Sequence, residues 1–290
     1  PFPGQLRVGA DARWTDGASH ELGSYVAGVP TRDRQAGGRM RHAGLFAEGS
    51  WEGGSLLLSA GARIDRWTIS NGFNREQVVG SGAVLRDQQF GGRSGWLPTG
   101  RLGAEIRIAP GLSLRGAGYA GWRLPTINEL FRPFRLGQDV TGGNAGLKPE
   151  RLAGAEAGLR ARLGWLELDL TAFATRLRDP IANVTVGTGP GTFPDIGFIP
   201  AGGIARQRQN LTAINARGLE ASASVSSGSW SAILSGSLTR ARAKAEGATA
   251  GLNGLRPAQT PARAATLGLG WTEARTAANV QLRYVGPQYE

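Results

Sequence analysis

The chain has 290 residues and a formal net charge of +11, carried almost wholly by arginine because Lys148 and Lys244 are its only lysines. It has no cysteine and only two histidines, His20 and His42. This excludes a disulfide framework and a thiolate metal site, and leaves zinc or histidine-based chemistry without a ligand set.

No run of about 18 apolar residues occurs, so no transmembrane helix is encoded. The length suits one large all-β domain or two ordinary ones. The arginine excess fits either a codon bias or an electropositive surface that attracts nucleic acid, lipid phosphate or an acidic ligand.

In chain order, PFPGQLRVGADARW opens without a signal peptide and already alternates; it reads as the start of an internal piece of a longer protein. Leu6, Val8, Ala10, Ala12 and Trp14 share one face, with Arg7, Asp11 and Arg13 on the other. The same period of two, the strand signal, returns along the chain. Leu102, Ala104, Ile106 and Ile108 oppose Arg101, Glu105 and Arg107. Ala153, Ala155, Ala157 and Leu159 oppose Glu156, Arg160 and Arg162. Leu166, Leu168 and Leu170 oppose Glu167 and Asp169, and Leu219, Ala221, Ala223 and Val225 oppose Glu220 and serines. Val280, Leu282 and Tyr284 oppose Asn279, Gln281 and Arg283. The pattern predicts about eleven strands, mostly long enough for the roughly 9–11 residues of a tilted membrane strand. Helical periodicity is nowhere sustained for three turns.

Tight turns are predicted near Glu52–Gly54, Pro110–Gly111, Leu163–Gly164, Ser227–Ser229 and Thr272–Glu273. Between them lie long segments rich in Gly, Pro and Arg, near residues 15–40, 67–96, 122–150, 178–215 and 243–261, read as irregular loops. Loops this long in compact domains are usually functional, and strict alternation of short turns with long loops is the pattern of an up-and-down outer-membrane barrel. Trp51, Trp165, Trp230 and Trp271 stand beside short turns. Trp14, Trp67 and Trp122, with Tyr119 and Tyr284, stand near the long loops, so two aromatic girdles are expected. A soluble sandwich would alternate too. Its apolar faces would need more Phe and Ile than these Leu/Ala/Val rows supply, whereas closely spaced Arg with Glu or Asp suits a wet, ion-paired lumen. The expected fold is therefore all-β: a partial antiparallel up-and-down transmembrane β-barrel of about eleven strands of a larger barrel, with no plug domain in the chain.

YAGWRLPTINEL (residues 119–130) and GNAGLKPE (residues 143–150) resemble the paired signature of TonB-dependent outer-membrane receptors. In that family a strand ends at an aromatic–Arg–x–Pro–Thr element followed by Glu-Leu, and Gly-Asn-x-x-Leu-x-Pro-Glu opens the next. Arg123, Pro125, Thr126, Glu129, Leu130, Asn144, Leu147, Pro149, Glu150 and Glu156 match. FATRLRDPI, RGLEASAS and RYVGPQYE resemble further strand–loop passages. Pro125 cannot donate to a ladder and suits a strand exit. Pro149 keeps Lys148 extended on entry to the next strand. Glu129 and Glu150 are placed to pair with arginines at the loop base, a structural role.

The resemblance implies a 22-stranded outer-membrane barrel closed by an N-terminal plug. Its function would be TonB-energised uptake of a scarce nutrient, most commonly a ferric siderophore; cobalamin, haem or glycans are the alternatives within the family. The plug, the box that contacts the TonB complex and the closing strands are expected outside residues 1–290. No cofactor is implied. Candidate ligand contacts are Phe131, Arg132, Phe134 and Arg135 in the signature loop, Arg32, Arg34, Arg39 and neighbouring Arg41 in another, and Arg206 and Arg208 in a third. Arginine suits carboxylate, catecholate or phosphate, as in an anionic metal chelate, and aromatics suit planar rings. The same rim arginines equally suit membrane lipid, namely the phosphates of lipopolysaccharide. Three other readings compete. An outer-membrane hydrolase lacks a nucleophile beside a base. A passive porin shares the loop rule. A nucleic-acid binder lacks any recognition motif.

Overall fold

A computed structural model describes residues 4–289; residues 1–3 and Glu290, the last residue of RYVGPQYE, lie outside the described residues. In chain order the elements are β1 (Gly4–Val26), β2 (Val29–Gly53), β3 (Leu56–Val78), β4 (Val84–Phe90), β5 (Arg93–Ala109), β6 (Leu112–Arg123), the one-turn helix α1 (Ile127–Phe131), β7 (Phe134–Leu136) and β8 (Asp139–Gly142). There follow β9 (Glu150–Leu163), β10 (Leu166–Arg178), β11 (Ile181–Thr188), β12 (Gly191–Phe193), β13 (Gly197–Ile199), β14 (Ile204–Asn210), β15 (Ala213–Ser227), β16 (Trp230–Lys244), a 3₁₀ turn (Gly247–Leu252), β17 (Arg263–Glu273) and β18 (Thr276–Val285).

Eleven of these form one antiparallel sheet in the order β1-β2-β3-β5-β6-β9-β10-β15-β16-β17-β18, with β4 paired to the outer half of β3. Every neighbour is the next long strand in the chain, the meander that short hairpins enforce. β1 and β18 end the path without pairing to each other. The five tight turns fall at one end of the strands, and Gly54, Gly111, Gly164 and Gly228 take positive φ there, a conformation that suits glycine.

Register assigns the two faces. Leu114, Leu159, Leu170 and Ala221 stand abreast on one, and Ser113, Arg160, Asp169 and Ser222 on the other. The apolar face is open: Leu6, Val8, Leu102, Val280 and Leu282 are all more than half exposed. The polar face is concave, because its side chains bridge strands that are not neighbours. Asp11 of β1 accepts bonds from Arg63 of β3 across β2, and Arg115 of β6 donates to Asp169 of β10 across β9 at 2.5 Å. With strands about 4.8 Å apart, such bridges need an empty middle position, and the residues there are Gly44 and Gly158. A Cβ on Gly44 would lie 2.2 Å from Arg63, and one on Gly158 would lie 2.7 Å from Arg115.

Two expectations need correction. Residues 15–40 are not an irregular loop. β1 and β2 pair without a break to Val26↔Val29 apart from a bulge on the β3 side at Gly37/Arg39, because polar and glycine-rich segments still satisfy backbone hydrogen bonds in a two-stranded ladder. The outer aromatic girdle is also thinner than expected. Trp67 is only 8% exposed and packs with Ile69, Leu97, Leu124 and Leu130 on the inner side, with Trp122 against them. Tyr119 stands on the inner face, its ring against Gly154. Trp14 and Tyr284 are open to the outside, joined by Trp96 at 60% exposure. At the tight-turn end Trp165 and Trp230 are exposed, and the Trp230 and Trp271 rings lie 6.5 Å apart.

The long connections build a second layer at the opposite end. β11-β14-β8-β7 form a four-stranded sheet, with β14 and β8 parallel through Ala205↔Val140, Arg206↔Thr141 and Gln207↔Gly142. β12 and β13 form a small hairpin beside it. Val140, Ile196, Ile199 and Ala205 make the core of this layer.

Candidate functional site

The signature segment anchors the layer to the wall. Pro125 leaves β6, and Thr126 caps α1 reciprocally: its hydroxyl accepts from the Glu129 N–H at 3.1 Å while the Glu129 carboxylate accepts from the Thr126 N–H at 2.7 Å. Leu130 and Phe131 then bury completely, the Phe131 ring lying on Gly38 and Gly72 and stacked on Phe90 at 5.2 Å. Arg123 donates to Glu150 at 2.5 Å and to Glu129 at 2.8 and 3.1 Å. Partial burial works to raise the Glu129 carboxyl. The bonds from Arg123 and from the Thr126 backbone outweigh it and hold that group below the usual carboxylate range.

The second half of the signature fastens a different loop. Glu150 also accepts from the Ile181 N–H at 2.7 Å, and Asn144 donates to the Arg208 carbonyl at 2.9 Å. Asn210 holds both the N–H and the carbonyl of Lys148. Leu147 is fully buried beneath them, and its carbonyl accepts from Arg93 at 2.7 Å. Glu156 faces the lumen further down β9, opposite Ala117 and Phe173.

Above this base lies a basin of about 800 Å³ between the upper β1–β4 strands, β7 and the connection around Ile196–Pro200; its lining includes Glu21, Arg32, Arg34, Asn74, Glu76, Arg86, Arg132, Phe134, Arg135 and Phe198. Arg34 donates to Glu76 and Ser24, both at 2.9 Å, and Arg132 pairs with Glu21. Arg32 is 4.0 Å from Glu76, and Arg135 donates only to the Phe198 carbonyl, at 3.2 Å. Arg86 forms no ion pair among the described residues. Five arginines thus face two glutamates. Burial, then the neighbouring Arg34, push the Arg135 guanidinium below the usual arginine range, with Glu76 opposing. Its charge meets no bonded carboxylate among the described residues.

Of the residues singled out in the sequence, Arg32, Arg34, Arg132, Phe134 and Arg135 meet at this basin. The others do not. Phe131 is 3% exposed and belongs to the core. Arg39 binds Asp16 at 2.7 Å, and Arg206 binds Asp139 at 2.9 Å. Arg208 donates to the carbonyls of Asn128 and Arg132. Arg41 stands opposite Trp14 at the outer face of the β1–β2 hairpin. Sequence reasoning missed Arg86, Phe198, Glu21 and Glu76. Arg86 lies in VLRDQQF, where apolar and polar residues do not alternate, so nothing local marked β4 or its pairing of Arg86 with Glu76. Phe198 lies among Pro and Gly residues with no periodic signal.

Known proteins agree with this architecture. The family model described as "TonB dependent receptor-like, beta-barrel" matches residues 1–290. The vitamin B12 transporter BtuB of Vibrio vulnificus (strain YJ016) is 30% identical over 119 residues, covering 40% of this chain and 17% of that protein. Among solved structures, the copper transporter OprC superposes with TM-score 0.68 at 19% identity over 98% of this chain and 41% of its own. The ferric yersiniabactin uptake receptor FyuA from Yersinia pestis gives 0.69 at 15% identity, over 100% and 41%. The chain spans well under half the length of these relatives. A sheet of consecutive hairpins with an ion-paired concave face, a signature that ties two loops to its rim, and a family match along its whole length lead to one assignment: this chain belongs to the TonB-dependent receptor family, as a stretch of its β-barrel.

Proposed function

We propose that the chain is part of the wall and outer mouth of a bacterial outer-membrane receptor, energised through TonB, that imports an anionic scarce nutrient, a ferric siderophore. In this reading the lumen plug, the TonB-contacting box and the closing strands belong to the complete protein outside residues 1–290. The observation that carries it is the basin in which Arg32, Arg34, Arg86, Arg132 and Arg135 outnumber Glu21 and Glu76. Arg132 lies 5.9 Å from the Phe134 ring, which sets a cation beside a flat apolar surface. That combination suits a carboxylate- or catecholate-bearing chelate with planar rings. No step of the proposal needs a catalytic group.

The test uses the complete receptor. Arg86→Gln combined with Arg135→Gln is expected to weaken binding of a ferric siderophore at least ~tenfold and to slow growth on it under iron starvation. Unchanged affinity would remove the basin from ligand recognition. The likeness to a vitamin B12 transporter over 119 residues favours cobalamin as the second reading. Growth rescue by cobalamin but not by ferric chelates would select it.

A further inference from the structure

A second cavity, of about 640 Å³, lies on the lumen side of the wall, farther from the β1–β2 turn than the basin. Its lining includes Arg13, Thr15 and Ser19 of β1, His42 of β2, Trp122 at the end of β6 and Asn128 of α1. The basin takes Glu21 and Gly23 from the same strand. With the two-residue period of a strand, the two cavities therefore follow one another along one face of β1. The one-turn helix stands between them: its first turn lines the inner cavity, while Arg132, directly after it, lines the basin and pairs with Glu21. Arg208 holds α1 in that position through the carbonyls of Asn128 and Arg132.

Among the described residues, no carboxylate lines this inner cavity. Asp11 and Asp65, further along the same lumen face, are both bonded to Arg63, and Glu129 is bonded to Arg123. Arg13 and His42 stand directly opposite each other in the β1–β2 ladder, so their side chains leave the sheet on the same side. Neither forms an ion pair or a side-chain hydrogen bond among the described residues. The Trp122 ring meets the His42 ring edge-on, with centroids 5.9 Å apart. Its N–H already donates to Asp65 at 3.3 Å, so it offers the cavity an aromatic surface. A guanidinium fork beside an imidazole N–H suits a carboxylate or phenolate, and the indole suits a planar ring attached to it. A cavity of this size with a few convergent polar groups fits a small molecule.

We infer that the inner cavity is a binding site for a planar aromatic anion, whose acidic group is held between Arg13 and His42 and whose ring lies against Trp122. Thr15 and Asn128 add a hydroxyl and an amide for the polar substituents of that ring. Because the two cavities share β1, an anionic ligand leaving the basin meets this site next, past the Glu21–Arg132 pair. Only that order of passage rests on the import reading; the site itself is independent of what the basin binds.

The test is fluorine NMR of the complete receptor, labelled with fluorotryptophan and held in detergent micelles, during titration with salicylate. The Trp122 resonance is assigned by its loss in Trp122→Phe. Salicylate is expected to shift that resonance saturably in the wild type. Arg13→Gln with His42→Gln should weaken this binding at least ~tenfold, and Arg13→Lys should retain most of it. Benzamide, an uncharged ring of similar size, should bind at least ~tenfold more weakly than salicylate. Heat-modifiable migration reports whether the double variant remains a folded barrel, and Arg13→Gln alone serves if it does not. A Trp122 resonance that salicylate leaves in place, as when another part of the receptor fills the cavity, would overturn the site. So would unchanged affinity in the glutamine variants or equal affinity for benzamide. Trp122 does not line the basin, so this titration can fail while chelate binding at the basin stands, and the reverse.

Discussion

At the scale of residues, the lumen side depends on where side chains are missing. Asp11 and Arg63 meet because Gly44 leaves the space between them open. Any Cβ there must displace the guanidinium and uncouple Asp65, which is 1% exposed. Gly44→Val is expected to destabilise the complete barrel by about 2 kcal/mol, read from denaturant unfolding in lipid vesicles; a loss below about 0.5 kcal/mol would show that the network re-forms. Arg123 gives a second case. It holds Glu129 and Glu150 together, so Arg123→Gln should cost about 2 kcal/mol and loosen α1, while Lys148→Gln, whose contacts to Asn210 are through backbone atoms, should cost little. Equal effects would refute the assigned hub. Carboxylates near prolines at a strand exit were legible as partners for arginine. Which arginine they chose was not, since sequence spacing does not place residue 150 across from residue 123. Nor could alternation tell that Trp67 points to the lumen, because both of its neighbours, Arg66 and Thr68, are polar.

Among elements, the strands were readable wherever one face was apolar. They were unreadable where both faces were wet, as in β2 before Arg39 or in β4, whose ladders rest on backbone pairing and carry no amphipathic pattern. The loop sheet was invisible for another reason: β8 and β14 pair in parallel between segments more than sixty residues apart, and no local signal announces such a contact. Asp139 fixes that junction, accepting from the Ile204 N–H and from Arg206, both at 2.9 Å. Those bonds, the backbone one foremost, hold its carboxyl below the usual range. A depressed carboxylate lends stability above its unfolded value, near pH 4, and that contribution disappears as pH falls through the folded value. Protease resistance of the 178–210 connection in the complete receptor should therefore fall more steeply between about pH 5 and pH 3 in the wild type than in Asp139→Asn. Matching profiles would dismiss Asp139 as the clasp.

For the whole molecule, a sheet with β1 and β18 unpaired at its borders and leucine rows open along one side cannot be satisfied by water. The 290-residue chain refolded alone in buffer is expected to sediment as aggregates and to stay dispersed in detergent; a stable monomer at micromolar concentration would contradict the lipid-facing assignment. The wall and its cap also differ in how far apart along the chain their partners lie. The wall strands joined by tight turns, such as β9 and β10, find each other at once, whereas Ala205 must find Val140 after β9 and β10 have been laid down. Short loops close readily and distant ones pay a larger entropy before any contact rewards them. By that measure the contact between β8 and β14 is expected to form after the tight-turn hairpins of the wall, leaving the loop layer as the last part of this chain to order.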